Sequence, residues 1–250
     1  MSDWSRELLA GLAVLFIGLS KAGFGGGLGM LTTPLCALAF DARVAIGVIL
    51  PLLCAGDVFS LYHYWRKWDR SNLRYLLPGV VVGVLLGVQL IGNVSDRQLN
   101  LAIGILAVSF VLFQFTKERI LQAHGVFRPN HALGVPCGIG AGFTSSIAHG
   151  AGPVISVFLL PQKLPKEIYV GTTVLIFTWI NWIKMPFFIA RGIIHADTLR
   201  ISLFFLPLIP VGVWLGVWLN RRVSEGLFTQ LIYWFTLLAG LQLIFNFKWR

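Results

Sequence analysis

Residues 129–162 read PNHALGVPCGIGAGFTSSIAHGAGPVISVFLLPQ, with no Asp, Glu, Lys or Arg among them. Wound as one helix at 1.5 Å per residue, these roughly 34 residues would reach about 51 Å, whereas the hydrocarbon core of a bilayer is about 30 Å thick. The stretch is too long for one crossing, so it must break or fold back. Gly138, Gly140, Gly142, Gly150, Gly152 and Pro153 are the residues that permit a break. Non-helical backbone at membrane depth leaves N–H and C=O groups that cost several kcal/mol each in lipid, so it persists only inside protein or along a wet cavity. The segment is therefore expected to mark a path for a solute.

The rest of the chain is that of a membrane protein. Of its 250 residues 56% are hydrophobic and 12% charged, about half the charge of a soluble domain. Uncharged runs at 75–95, 98–116, 201–220 and 226–247 are long enough to span a bilayer, and the expected spans are 44–65, 75–92, 99–115, 168–190, 201–219 and 227–247. The net charge of +10 sits mostly between apolar runs, which is the distribution of cytoplasmic loops and not of a nucleic-acid surface. Cys36, Cys54 and Cys137 are odd in number, far apart and inside apolar runs. That is neither a disulfide framework nor a metal-ligand pattern, so no metal and no cofactor are expected. The start, MSDWSRELLAGLAVLFIGLSKAGF, carries Asp3 and Glu7 where a secretory signal would be basic, and it reads as retained structure.

A second glycine-rich segment, KAGFGGGLGMLTTP at 21–34, resembles the first in kind. No dinucleotide-binding register fits it, and Lys21 precedes the glycines where a phosphate-loop lysine would follow them. The pairing of the two segments belongs to a wider duplication. GVLLGVQL at 83–90 and GVWLGVWL at 212–219 agree at six of eight positions; AGF recurs at 22–24 and 141–143; Pro34 answers Pro153, Gly47 answers Gly171, and Asp57 answers Asn181. The expected architecture is all-α and polytopic: a single transmembrane domain of two homologous repeats, about 8–116 and 130–247, joined by a cytoplasmic linker at about 117–129. Each repeat holds a broken or re-entrant glycine-rich helix and three transmembrane helices. Pro34 and Pro153 are expected in the first turns of the half-helices leaving each break, and the GxxxG pairs Gly83/Gly87 and Gly212/Gly216 at helix–helix contacts. Charge counts make the loops at 66–74 and 117–128 cytoplasmic but leave parallel and inverted repeats both open.

KAGFGGGLGMLTTP, AGFTSSIAHGAGPVISVFLLPQKLP, VGTTVLIFTWINWIKMP and LPLIPVGVWLGVWLNRRVSEGLF together resemble the sulfite exporter TauE/SafE family of membrane permeases, from about Leu8 to Phe245. The resemblance implies a multi-pass protein of the cell membrane, the inner membrane in a bacterium. It also implies transport of sulfite, sulfoacetate or another organosulfonate, in either direction. One departure is that the second motif reads GFTSSIAHGAGP and has no glycine triplet, so the two half-sites are expected to be chemically unequal.

The candidate substrate site follows from the residues at the breaks. Gly23, Gly25, Gly26, Gly27 and Gly150 would let a small anionic solute approach the backbone, and helix N-termini there would offer oriented N–H groups. Lys21 would complement its charge or snorkel to a headgroup. Thr144, Ser145 and Ser146 offer hydroxyls, unless these bond their own helix. His149 would donate to a substrate oxygen, shuttle a proton, or serve as a packed histidine. Asp57, Asn181 and Lys184 form a coupling or structural group across the repeats, and Thr172, Thr173 and Thr178 are weaker candidates for the same lining. No catalytic residue is expected. The functional expectation is a permease working by alternating access, exporting its anion, with proton-coupled uptake as the alternative. An intramembrane serine hydrolase using Ser145 or Ser146 with His149 is a remote third reading, and a scaffold without transport would leave the glycine segments unexplained. The partners are the solute and the lipid bilayer, with a homodimer left open.

Overall fold

The computed structural model describes residues 3–21, 29–124, 128–222 and 225–246. In chain order these form α1 (Asp3–Lys21), α2 (Gly29–Ala39), α3 (Ala42–His63), α4 (Arg70–Asn93), α5 (Asp96–His124), α6 (His131–Ala148), α7 (Gly152–Leu159) with a 3₁₀ turn (Leu160–Gln162), α8 (Lys166–Ala190), α9 (Ala196–Phe205), α10 (Leu208–Arg222) and α11 (Glu225–Phe245). No strand occurs among the described residues. Local chemistry sets several of the starts. Asp69 accepts from the Ser71 amide at 2.7 Å to open α4, and Asn130 accepts from the Leu133 amide at 3.0 Å to open α6, as expected of N-cap side chains.

Among the described residues, α3, α4, the first 21 residues of α5, and α8 are long and apolar enough to cross a membrane. Taken as one bent unit, α9 and α10 make a fifth. The polarity of the fold is that of a lipid-facing protein. Leu86, Leu112, Phe204, Trp214, Trp234 and Leu238 are exposed, while Asp57, Asn72 and Lys184 are buried with no accessible surface. An outward surface so apolar would be a liability in water and is ordinary in a bilayer.

Three expectations are corrected. The span at 201–219 is not one helix: the chain bends by 42° between α9 and α10. Pro207 and Pro210 remove two backbone donors there and press their rings on the preceding turn. The segment expected as the linker continues α5 as far as His124, since KERILQAH consists largely of good helix formers, and this leaves the expectation of a linker untouched. Pro34 lies inside α2 and not in its first turn, whereas Pro153 does sit at the start of α7. Gly138, Gly140 and Gly142 do not break the long apolar segment; they lie within α6, and the interruption falls at His149–Ala151. Two of the three serve packing. A Cβ on Gly138 or Gly142 would collide with the carbonyl of Leu76 or Val80 on α4, and one on Gly79 or Gly83 with the carbonyl of Val135 or Ile139 on α6. Two facing stripes of glycine spaced four apart thus bring α4 and α6 into backbone contact, the small-residue crossing typical of membrane helices.

These contacts fix the path of the chain. As α4 advances from Gly79 to Gly87 it meets α6 from Val135 to Ser146, so the two helices run parallel. The His131 ring stacks edge-on against Tyr75 at 4.7 Å, and Gln162 exchanges two hydrogen bonds with Asn72 at 2.9 and 3.0 Å. Both outer ends of the α6–α7 pair therefore lie beside the start of α4, and the pair is a re-entrant hairpin. The α1–α2 pair is arranged likewise. Gly18 packs on Gly212 and Val213 with α1 parallel to α10, and Glu7 and Phe40, at its two outer ends, share a surface cleft with Arg200 and Phe205.

Helices α3 and α8 cross antiparallel. Gly47, early in α3, abuts the Ile193 carbonyl beyond α8; Gly171, early in α8, abuts the Lys67 carbonyl beyond α3. Between these ends the Asn181 amide donates to Asp57 at 2.7 Å. Lys67 also forms an ion pair with Glu167 at 3.1 Å, so the loop after α3 and the start of α8 share one face of the molecule. The outer ends of α6 and α7 lie on that face, and the outer ends of α1 and α2 lie on the opposite one.

Candidate functional site

The first turns of α2 meet the turn between α6 and α7. Thr33, on α2, donates its hydroxyl to the carbonyl of Ala148, the last residue of α6, at 2.8 Å. Gly150 lies against Met30, whose sulfur would be 2.5 Å from a Cβ placed there. A side chain at 150 would require the end of the Met30 side chain to move aside.

The turn between α6 and α7 is made by His149 in the left-handed region, at φ 50°. Its amide bonds the Ser145 carbonyl at 3.0 Å and the Gly150 amide bonds the Thr144 carbonyl at 3.3 Å, which closes α6. A residue other than glycine in this conformation costs about 1–2 kcal/mol, and the imidazole supplies the offset. Its Nε2 lies 3.2 Å from the Ile46 carbonyl on α3, and its Nδ1 lies 3.0 Å from Lys184 Nζ on α8. A carbonyl only accepts and an ammonium only donates, so the pair of contacts assigns the proton to Nε2 and the lone pair to Nδ1.

Lys184 has no accessible surface. Its three N–H bonds go to the Ser145 carbonyl at 3.0 Å, Ser145 Oγ at 2.9 Å and His149 Nδ1 at 3.0 Å. The ammonium thus caps the negative end of α6, where the last carbonyls lack helical partners. It also fixes the direction of Ser145. Thr144 bonds back to the Gly140 carbonyl at 2.8 Å and Ser146 to the Gly142 carbonyl at 2.9 Å. The Ser145 oxygen accepts from lysine instead, and among the described residues no acceptor takes its hydrogen.

Ser145 and His149 line a cavity of about 50 Å³ together with Ser20, Asp57, Ala151, Gly152 and Asn181, closed by Ile17, Leu53 and Phe177. That is room for a few water molecules or a small ion. Ala151 offers no side chain to cap α7, so the first amides of that helix, its positive end, lie at the cavity wall.

Of the candidate residues, the fold gathers Ser145, His149, Gly150, Asp57, Asn181 and Lys184 around one point. Lys184 places its hydrogen bonds on Ser145 and His149. Thr144 and Ser146 are beside the cavity but spend their hydroxyls on their own helix. Thr173 and Thr178 do the same, bonding Tyr169 and Val174 carbonyls at 2.9 Å, while Thr172 accepts from the Asp69 amide at 2.9 Å and ties α8 to α4. No side-chain hydrogen bond joins the Ser145 or Ser146 hydroxyl to the His149 ring among the described residues. Gly23, Gly25, Gly26 and Gly27 lie outside the described residues, as does the side chain of Lys21. Sequence reasoning passed over Ser20 and Thr33, which carry only the weak signal of lying near the glycine segment. No disulfide joins the described cysteines, and no group of His, Cys, Asp and Glu able to hold a metal occurs among the described residues.

The family model for sulfite exporter TauE/SafE matches residues 10–243. No curated protein and no solved structure matches the chain.

Proposed function

The chain belongs to the sulfite exporter TauE/SafE family, and on that premise we infer that it is a permease for a small sulfur-containing anion, moved by alternating access around the two hairpin tips. The observation that carries the reading is Ser145. A buried hydroxyl, 3% exposed, is held by a lysine so that its hydrogen is left for the cavity, next to the uncapped start of α7. Such preset donors in a low-dielectric site suit a sulfur oxyanion. Ser145 and the backbone at 151–152 are its contacts; His149, with both ring nitrogens engaged, holds the turn, and Lys184 acts through Ser145 and His149.

Two inverted repeats underlie the machine. The sequence matches pair α1–α5 with α6–α11, and the contacts support that pairing. The glycine-lined packing of α4 on α6 has its counterpart in α1 on α10, and α3 and α8 cross at the matched positions Asp57 and Asn181. In this arrangement Arg66, Lys67, Arg70, Arg74, Lys163 and Lys166 share a face, which the positive-inside rule makes cytoplasmic. An inside-negative potential of 100 mV then favours expulsion by about 2.3 kcal/mol per negative charge, so export needs no coupling ion.

Proteoliposomes loaded with labelled sulfite test this. Efflux is expected to exceed that of protein-free vesicles, to rise with an inside-negative potential, and to fall about tenfold or more in Ser145→Ala. Absence of protein-dependent flux of sulfite, thiosulfate and sulfonates would refute the permease reading. Asp57 in the cavity wall favours a second reading, uptake with a proton on that carboxyl. Flux indifferent to a pH gradient, together with an active Asp57→Asn variant, would eliminate it.

A further inference from the structure

We propose that the cleft between the start of α1 and the first turns of α9 binds the headgroup of a membrane lipid, a zwitterionic phospholipid with a primary ammonium. The site shares no residue with the solute cavity, so it stands whether or not the chain carries a sulfur anion. The cleft holds about 400 Å³, within the range of about 300–1,000 Å³ usual for small-molecule sites. Its floor is apolar: Phe205 is buried, and Phe40 and Ile201 are half-buried. Its rim carries one charge of each sign, Glu7 from α1 and Arg200 from α9.

The two charges are not spent on each other. Among the described residues no ion pair joins Glu7 to Arg200, and Arg200 pairs only through one guanidinium nitrogen, with Asp197 at 3.5 Å. Trp4, one turn before Glu7, and Phe204, one turn after Arg200, are 81% and 72% exposed. An exposed tryptophan at the helix end with an exposed phenylalanine deeper in places the cleft where headgroups give way to hydrocarbon. A lipid held there sets its phosphate on the guanidinium, which presents N–H donors in a planar fork, and lays an acyl chain along Phe204. The far end of its headgroup then meets Glu7. A carboxylate only accepts, so that end must donate. A primary ammonium brings three donors and the opposite charge; a trimethylammonium brings the charge without a donor. A glycerol headgroup brings hydroxyls but leaves the lipid with a net negative charge beside Glu7 and Asp197, which is unfavourable where the dielectric falls toward the hydrocarbon. Phosphatidylethanolamine matches both ends of the cleft.

Native mass spectrometry of the full chain, released from detergent micelles, gives an apparent affinity for the first lipid bound. Phosphatidylethanolamine, phosphatidylcholine and phosphatidylglycerol with the same acyl chains are titrated in turn. The ethanolamine lipid is expected to bind at least about fivefold more tightly than either of the others, between the worth of an exposed ion pair and that of a charge-assisted hydrogen bond. In Glu7→Gln the ethanolamine-to-choline ratio is expected to fall below about twofold. Arg200→Gln is expected to weaken all three lipids, since the phosphate is common to them. Glu167→Gln, on the opposite face beside Lys67, is expected to keep the parent ratio. Each ratio is read within one preparation, so the amount of folded protein cancels.

Equal affinities for the three lipids, or tightest binding of the glycerol lipid, overturns the proposal. So does a fivefold preference that persists in Glu7→Gln. A dimer of the chain that forms at the expense of bound lipid and is lost in Arg200→Gln would give the cleft to a second copy and overturn it as well.

Discussion

Replacing Lys184 with methionine separates what this residue does for the fold from what it does for the solute. The ammonium is wholly buried and makes three hydrogen bonds, each worth about 1.5–3 kcal/mol with a charged donor. Against them stands a dehydration cost of several kcal/mol, which is why buried ions are often replaced by apolar side chains of like volume at little loss. The two nearly cancel, so Lys184→Met is expected to change unfolding free energy by less than about 2 kcal/mol. Transport is expected to respond differently. With the lysine gone, Ser145 is free to rotate and bond the Ala141 carbonyl, as Thr144 and Ser146 bond theirs, and the solute loses one oriented donor. That loss corresponds to about a ten- to hundredfold weaker apparent affinity. Sulfite flux against concentration in proteoliposomes gives the half-saturation value for Lys184→Met, Ser145→Ala and the double variant. Because lysine acts through serine, the double variant is expected to be no weaker than Ser145→Ala alone. Losses that multiply, or a Lys184→Met affinity within about threefold of the parent, would refute the relay.

Other expected outcomes follow from the packing and the turn. Gly138→Val, which drives a side chain into the Leu76 carbonyl, is expected to destabilise the protein by about 3 kcal/mol or more. Gly192→Ala, at φ +66° with nothing within 4 Å, should cost only about 1 kcal/mol of backbone strain; thermal unfolding in detergent ranks the two, and a reversed order would refute the α4–α6 crossing. His149→Gly is expected to keep the left-handed turn yet lose flux. His149→Val should lose flux and also melt earlier, because a β-branched residue is strained there; equal melting temperatures would count against the turn. In a cysteine-free background, cysteines at Lys67 and Lys163 should react with an impermeant maleimide from the cytoplasmic side and one at Asp197 from the other. Labelling of Lys67 and Lys163 from opposite sides would rule out the inverted arrangement.

Much of the fold was legible because uncharged runs announce spans and because a run too long for one crossing announces a break. Glycine was harder to read. It serves both to interrupt a helix and to let two helices touch, and Gly138 and Gly142 could be assigned to the second use only once Leu76 and Val80 stood opposite them. The bend in the last span had a signal in Pro207 and Pro210 that hydropathy alone obscures. In the site, residue types near the break were readable, but their hydrogen bonds were not. Nothing local distinguishes Ser145 from Thr144 or Ser146; the difference is a lysine on another helix, 39 positions away. Asp57 and Asn181 were matched by duplication, and their direct contact reflects the crossing of α3 and α8.

That crossing has a further consequence. In a transporter made of two identical inverted halves, the inward- and outward-open conformers would be related by the two-fold axis in the membrane plane and equal in free energy. Here a carboxylate faces an amide, so in such a machine the degeneracy would be lifted at its centre. On the proposed alternating-access reading, the empty carrier would then acquire a resting preference for one side of the membrane before any solute or voltage acts on it.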